Sequence, residues 1–310
     1  MARRKLLLLL KPLDAYSLGS SSNGVSRLSN PQILHHLDSR NKVHKDVISF
    51  CKNILQKKFV DWEEILRDNL CYPVRNVDVV VTFGGDGTLL HASHFVDDSI
   101  PILGVNSDPT NAEEVEEHNN EFDATRSTGY LCAATVNNFE QVLDDILEGR
   151  SVPSELTRLS VHVNSELLPI IKKEGQPYSP LLNCRSCGLR VSTATGSTAA
   201  MLSAGGFQMP ISSHDLQYMV REPISPGAAS SRMYGLINPN QSLDIAWYCK
   251  EGYIYVDGSQ VRYYIKHGDT IEVSARAPLL RVYLPPHLLG QGGSYFRRNP
   301  VGEKRELSKM

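Results

Sequence analysis

The chain has 310 residues, of which 21% are charged and 41% hydrophobic, with a formal net charge of −2. That length suits about two domains at ~100–200 residues each. The composition is that of an ordinary globular protein, and the near-neutral charge gives no bulk electrostatic case for nucleic acid or an anionic membrane as a partner.

The first element is a strand over residues 6–10. Its five leucines fall short of the ~7–15 apolar residues of a signal-peptide core, and Lys11-Pro12 ends the run. No segment approaches the ~18 apolar residues of a membrane span. Residues 17–30, rich in Ser, Gly and Asn, read as a loop. From 41 to 70 the spacing turns helical, with Val43, Val47, Ile48, Cys51, Ile54 and Leu55 at three- and four-residue intervals and a second short helix predicted over 61–67. Residues 77–83 form a β-branched run suited to a strand buried on both faces of a parallel sheet. Three glycines follow around one aspartate, Gly84-Gly85-Asp86-Gly87. Then a helix is predicted from Thr88 to about Phe95, and a short strand over 101–105. This alternation predicts a doubly wound α/β domain with ligands at the carboxyl ends of its strands.

Residues 106–128 are polar, with Glu113, Glu114, Glu116 and Glu117, and read as a solvated face. A short strand is predicted over 130–135 and an amphipathic helix over 138–147, closed by Gly149. The texture then becomes β-rich, with short alternating strands over 157–163, 188–193, 242–246, 252–256, 262–265, 270–275 and 280–284. Asp257-Gly258 and Gly268-Asp269 read as turns between strands. The tail beyond 285 shows no core pattern. Six dispersed cysteines do not make a disulfide framework and suit a reducing compartment, while Cys184-x-x-Cys187 alone is a weak metal or redox signal.

Two glycine-rich stretches carry the chemistry. A strand that runs through Gly84-Gly85-Asp86-Gly87 into a helix presents backbone N–H groups where a phosphate can sit. A carboxylate there repels phosphate unless it binds a metal or takes a proton, so Asp86 reads as a chemical residue; the competing reading is a solvent-exposed Asp-Gly turn. The second stretch, Ser192 to Gly206, includes Thr195, Gly196, Ser197, Thr198, Ala199 and Ser203. It offers small hydroxyls and N–H groups for phosphate or ribose; the competing reading is a helix start at a tight packing contact.

Together these residues resemble the NAD kinase family. The match rests on Gly84-Gly85-Asp86-Gly87-Thr88 after a buried strand and on Ser192-Thr-Ala-Thr-Gly-Ser-Thr-Ala199, where the family has Pro at the position of Ala194. It is extended by Glu222-Pro-Ile-Ser-Pro226 and by the hairpin Asp257-Gly258-Ser259-Gln260. It runs from about residue 75 to 285, and the segment Gly104-Val-Asn-Ser-Asp108 is most like the plant NADH kinase branch. The resemblance implies a Rossmann-like α/β domain over 1–130 that carries the glycine turn, a β-rich, sandwich-like dinucleotide-binding domain over 131–285, and a tail over 286–310. It implies transfer of the ATP γ-phosphate to the 2′-hydroxyl of the adenosine ribose of NADH or NAD, Mg²⁺ to offset phosphate charge, and a homo-oligomer, most simply a dimer. Asp86 is then the base, Gly84, Gly85, Gly87 and Thr88 line the phosphates, Thr195 to Ala199 with Ser203 line the dinucleotide, and Gln260 reaches its ribose or adenine. Two alternatives stay open: a catalytically impaired isoform acting through dimerisation, and a lipid kinase sharing the glycine turn. The expected location is cytoplasmic, with Ser308-Lys309-Met310 one residue away from a peroxisomal address.

One departure stands out. The family carries an Asn-Asp or Asn-Glu pair on a strand that falls between the counterparts of Ser165-Glu-Leu-Leu-Pro169 and Lys172-Lys-Glu-Gly175. Here only Ile170 and Ile171 separate those flanks, so a strand and its ligand-binding pair are absent from the sequence.

Overall fold

The computed structural model describes residues 3–12, 31–118, 124–165, 182–224, 232–258, 261–290, 295–298 and 304–307. The chain divides into two compact units, Met1–Glu155 with Leu280–Leu289, and Leu156–Leu279 with Gly290–Met310.

The first unit is built on strand β1 (Arg4–Leu10), whose five leucines are all buried. After it, helix α1 (Pro31–Lys57) starts ten residues earlier than the periodicity predicts and covers one face of the sheet with Val47, Ile48, Cys51, Ile54 and Leu55. The helix predicted over 61–67 is instead strand β2 (Val60–Leu66), paired in parallel with β1 from Arg4↔Val60 to Leu10↔Leu66. Asp61, Glu63 and Glu64 give that segment a poor strand composition. The ladder to β1 and the inward Val60 and Trp62 outweigh it, because tertiary pairing overrides local propensity.

Strand β3 (Val79–Gly84) lies on the other side of β1, and all six of its residues are buried. That explains a β-branched run with no polar alternation. It leads into α2 (Asp86–Ser93) and then β4 (Ile102–Asn106), parallel to β3. Helix α3 (Ala112–His118) and the two-residue strand β5 (Ala134–Thr135) follow; the latter is all that forms of the strand expected over 130–135. Helix α4 (Phe139–Leu147) buries Phe139, Leu143 and Ile146, and Gly149 ends it at φ +75°. Strand β6 (Ser154–Leu156) comes next.

The second unit is β-rich, as expected. Within residues 156–279 its strands are β7 (Ser160–Asn164), β8 (Gly188–Ser192), then, after the short helix α5 (Ala200–Ser203), β9 (Leu216–Arg221), β10 (Tyr234–Ile237), β11 (Ser242–Ala246), β12 (Glu251–Val256), β13 (Val261–Lys266) and β14 (Thr270–Ser274). They make three antiparallel sheets, β10-β9-β8, β11-β14-β7 and the hairpin β12-β13. Leu216, Ile237, Ile265, Ile271 and Val273 form the core. Strands β9 and β10 are new relative to the sequence reading. The hairpin turn opens with Asp257 at φ 50° and Gly258 at φ 116°, the left-handed conformation that favours these residue types.

Strand β15 (Leu280–Tyr283), expected among the β-rich strands, returns to the first unit. It pairs in parallel with β4, Val282 opposite Ile102. The first sheet therefore runs β2-β1-β3-β4-β15-β6. Helix α6 (Pro286–Leu289) follows with Leu288 buried, so the start of the presumptive tail has a core role. The flanks of the strand expected to be missing, residues 165–169 and 172–175, lie outside the described residues apart from Ser165, as do Gln260 and Ser308 to Met310.

Candidate active site

The strand order places β1 between β2 and β3, so the chain reverses its direction of travel across the sheet between β1 and β3. In such sheets ligands bind outside the carboxyl ends of the two strands that flank the reversal. The glycine turn sits there. A Cβ on Gly84 would fall on the Thr88 side chain, and one on Gly85 would fall on Ser127 Oγ, whereas one on Gly87 would meet open space. Gly84 is thus a packing requirement, and Gly87 leaves room in front of the helix start. Thr88 is buried and its N–H donates to Gly85 O at 2.9 Å. The amides of Asp86 and Gly87 meet no acceptor among the described residues.

Asp86 is the first residue of α2, and its carboxylate is tied down at both oxygens. Tyr130 N–H donates to Oδ2 at 2.9 Å and Leu131 N–H to Oδ1 at 2.8 Å. Gly129, at φ +57°, turns the chain tightly against Asn106 and so delivers those two amides. The Cys132 thiol lies 3.8 Å from Oδ1, and its pKa is pushed up by burial and then by the charge of Asp86, so it stays a neutral thiol. A carboxylate oxygen has lone pairs for more than one donor. Asp86 can therefore hold its orientation on the backbone and still accept a proton from a bound hydroxyl.

Beside the turn lies a polar group that the sequence reading missed. Residues 106–128 are not simply a solvated face, because Asn106, Ser107 and Asp108 are buried. Ser107 N–H donates to Gly84 O at 3.0 Å, so this segment braces the turn. His44, fully buried on α1, lies with Nδ1 2.7 Å from Ser107 Oγ and Nε2 3.0 Å from Lys11 O. Its pKa is lowered, first by burial. Asp108 accepts from Arg40 Nε at 2.8 Å and from an Arg126 terminal nitrogen at 3.0 Å, and Arg126 also donates to Glu114 at 2.6 Å. The signal available in the sequence was the apolar strand 101–105, which leads straight into Asn106-Ser107-Asp108 and leaves them little room to reach the surface.

The second glycine stretch forms as the strand-to-helix turn expected. Strand β8 ends at Ser192, a single 3₁₀ turn spans Thr195–Thr198, and α5 follows. Ser197 is fully buried and its hydroxyl is used internally, donating to Ala194 O at 2.6 Å and accepting from Met209 N–H at 2.8 Å. Thr198 Oγ1 donates to Thr195 O at 3.2 Å and Ser203 Oγ to Ala199 O at 3.4 Å. A Cβ on Gly196 would come within 3.2 Å of Ser192 Cβ, and the buried Ser192 hydroxyl has no partner among the described residues. Gly84, Gly85, Asp86, Gly87 and Thr88 thus come together in the first unit, and Thr195, Gly196, Ser197, Thr198, Ala199 and Ser203 in the second.

A parallel sheet with a glycine turn and a backbone-held carboxylate at its reversal point defines a nucleotide-binding α/β protein. Comparison with known proteins makes this specific. Residues 24–110 match the family model described as ATP-NAD kinase N-terminal domain, and residues 143–280 match ATP-NAD kinase C-terminal domain. The chain is 55% identical over 307 residues to an NADH kinase of Arabidopsis thaliana, covering 92% of this chain and 96% of that one. It is 50% identical over 324 residues to a probable NADH kinase of Oryza sativa subsp. japonica, covering 94% and 100%. Among solved structures it is similar in fold to an NAD kinase from Archaeoglobus fulgidus in complex with ATP, with TM-score 0.56, 17% identity and coverage of 92% and 95%. A yeast NADH kinase complexed with NADH gives TM-score 0.55, 15% identity and coverage of 91% and 84%. The chain belongs to the NAD kinase family. These matches favour neither the lipid kinase nor the impaired isoform.

Proposed function

We infer that the chain is an ATP-dependent NADH/NAD kinase that makes NADPH or NADP. The observation that carries this is Asp86, held by the Tyr130 and Leu131 amides at the head of a glycine turn, in a chain of this family. A ribose hydroxyl is a poor nucleophile, and a positioned carboxylate that takes its proton contributes typically ~10²–10⁴-fold. In the proposed step the ribose 2′-oxygen attacks the γ-phosphorus of ATP, the hydroxyl proton passes to Asp86, and ADP leaves. Among the described residues no group of three His, Cys, Asp or Glu side chains could hold a metal. Mg²⁺ fits as a passenger on the donor phosphates, where it would offset their charge. The names of the plant relatives support NADH as the better acceptor. Rates with NADH and NAD, measured side by side in a coupled assay for the phosphorylated product, test this. No product from either dinucleotide would overturn the reading. The homodimer we propose is tested by light scattering on the eluting protein.

The missing strand belongs to the same proposal. The rice relative aligns over 324 residues, more than this chain possesses, so it contributes residues for which this chain has no counterpart. Among the described residues β7, which ends at Asn164 just before the affected flanks, is an outer strand of its sheet.

A further inference from the structure

We propose that the buried ion pair of Arg126 with Asp108 is a latch that sets the orientation of the Asp86 carboxylate, so that both are positioning residues for the proton transfer. This rests on the kinase reading given above and adds to it residues that no motif supplies. Asp86 is held by the amides of Tyr130 and Leu131. Only Ser127, Thr128 and Gly129 separate Tyr130 from Arg126. One terminal nitrogen of Arg126 donates to Asp108 at 3.0 Å and the other to Glu114 at 2.6 Å. The Arg126 and Asp108 side chains are only 6% and 4% exposed. Asp108 also accepts from Arg40 at 2.8 Å, which ties the pair to helix α1.

The backbone around the latch leaves little slack. Arg126 N–H donates to Thr110 Oγ1 at 3.0 Å, Ser127 N–H to Asp108 O at 3.2 Å and Thr110 N–H to Ser127 O at 3.3 Å, so the stretches 108–110 and 126–127 are zipped together. Asn106 Nδ2 donates to the same Ser127 O at 3.2 Å. Both stretches also meet the glycine turn. Ser107 N–H donates to Gly84 O, and Ser127 Oγ fills the space that a Cβ on Gly85 would need. Gly129 then turns at φ +57° against the Asn106 side chain, which leaves no room for a Cβ. A shift at Arg126 is therefore passed through three residues to the amides that aim Asp86. A guanidinium bridges two carboxylates as a rigid fork, which a lysine ammonium, a compact point charge, does not reproduce. Misplacing a reacting group by ~1 Å costs up to ~10²-fold in rate. Neither Arg126 nor Asp108 has to touch a substrate to have that effect.

The test uses the full chain. Arg126→Lys keeps the charge and loses the fork between the two carboxylates. It is expected to lower kcat by roughly tenfold or more while the KM for ATP and that for NADH each stay within about twofold, the pattern of a group felt only in the transition state. The same substitution placed on Asp86→Asn, followed in single turnovers, should change the rate by less than about twofold, because the residue it acts through is already gone. A merely structural role would slow both backgrounds alike. Amide hydrogen exchange at Tyr130 and Leu131, resolved by mass spectrometry, should quicken in Arg126→Lys while that of β1 and β3 does not. An unchanged kcat in Arg126→Lys, an equal loss in both backgrounds, or unchanged exchange at the two amides overturns the proposal. Should Arg126→Lys fail to fold, Glu114→Gln, which keeps the shape of the outer acceptor and removes its charge, is read in the same three ways. A wild type that phosphorylates no dinucleotide would sink the kinase reading, and the exchange at Tyr130 and Leu131 would still decide whether the latch holds them.

Discussion

Asp86 accepts two backbone hydrogen bonds, and asparagine can accept only one of them without turning its NH₂ toward the other amide. Asp86→Asn is therefore expected to lower kcat by ~10²–10⁴-fold and to cost about 1.5–3 kcal/mol of stability for the lost charged bond, with dinucleotide affinity retained. Calorimetric binding beside the coupled assay separates these effects, and full activity in the variant removes Asp86 as the base. The neighbouring glycines should behave oppositely to one another. Gly84→Ala drives a methyl onto the Thr88 side chain and should destabilise by about 1–3 kcal/mol. Gly87→Ala meets open space inside a helix and should leave the Tm unchanged or raised, while ATP affinity falls. His44 gives a pH signature. Its folded pKa lies below the ordinary value of 6.5, so the unfolded chain binds its proton more readily. Stability is then unaffected above that value and is lost as pH falls below it. His44→Gln should flatten the fall of Tm between about pH 7 and 5, and an unchanged slope would show that other groups dominate. The glycines and Asp86 were legible in the sequence because a turn is a local event. Asn106, Ser107, Asp108 and His44 were not, because a polar side chain buried by distant contacts has the same local pattern as one facing water.

Elements were legible where composition and environment agreed. The run 77–83 reads as a doubly buried strand and is one. The segment Val60–Leu66 carries three acidic residues and reads as helix, yet pairs with β1 along its whole length. Nothing within seven residues reveals a partner strand 56 positions upstream. Strand β15 is a similar case: its alternation reads correctly as strand, but its partner β4 lies far upstream, with the whole second-unit stretch 156–279 between them. A testable consequence follows for fragments. Residues 1–155 alone lack β15 and expose Ile102 and Leu103 on β4. That fragment is expected to lose cooperative thermal unfolding, because an unpaired inner edge leaves N–H and C=O groups unsatisfied at ~1–3 kcal/mol each when buried. A sharp transition matching that of the complete chain would contradict this.

For the molecule as a whole, the two glycine motifs and their order sufficed for the family, and the family matches extend over both units. The gap proposed near Pro169 has its consequences at this scale. Restoring the strand with its Asn-Asp or Asn-Glu pair should raise both Tm and kcat/KM for NADH, since it would cover the outer edge of β7 and supply dinucleotide contacts. Equal turnover with and without the segment would sink this expectation. A differential scanning measurement on the two forms gives the stability half of the answer independently of activity.

The pairing of Val282 with Ile102 also sets a schedule. Strand β1 and the strand that ends in the glycine turn leave the ribosome well ahead of β15, but the sheet that holds them cannot close until β15 has been made. Contacts so far apart in sequence form slowly, and during that interval β4 presents an open apolar edge. Synthesis of this protein therefore includes a window of exposure to aggregation, and its length depends on how fast everything between the two strands is translated.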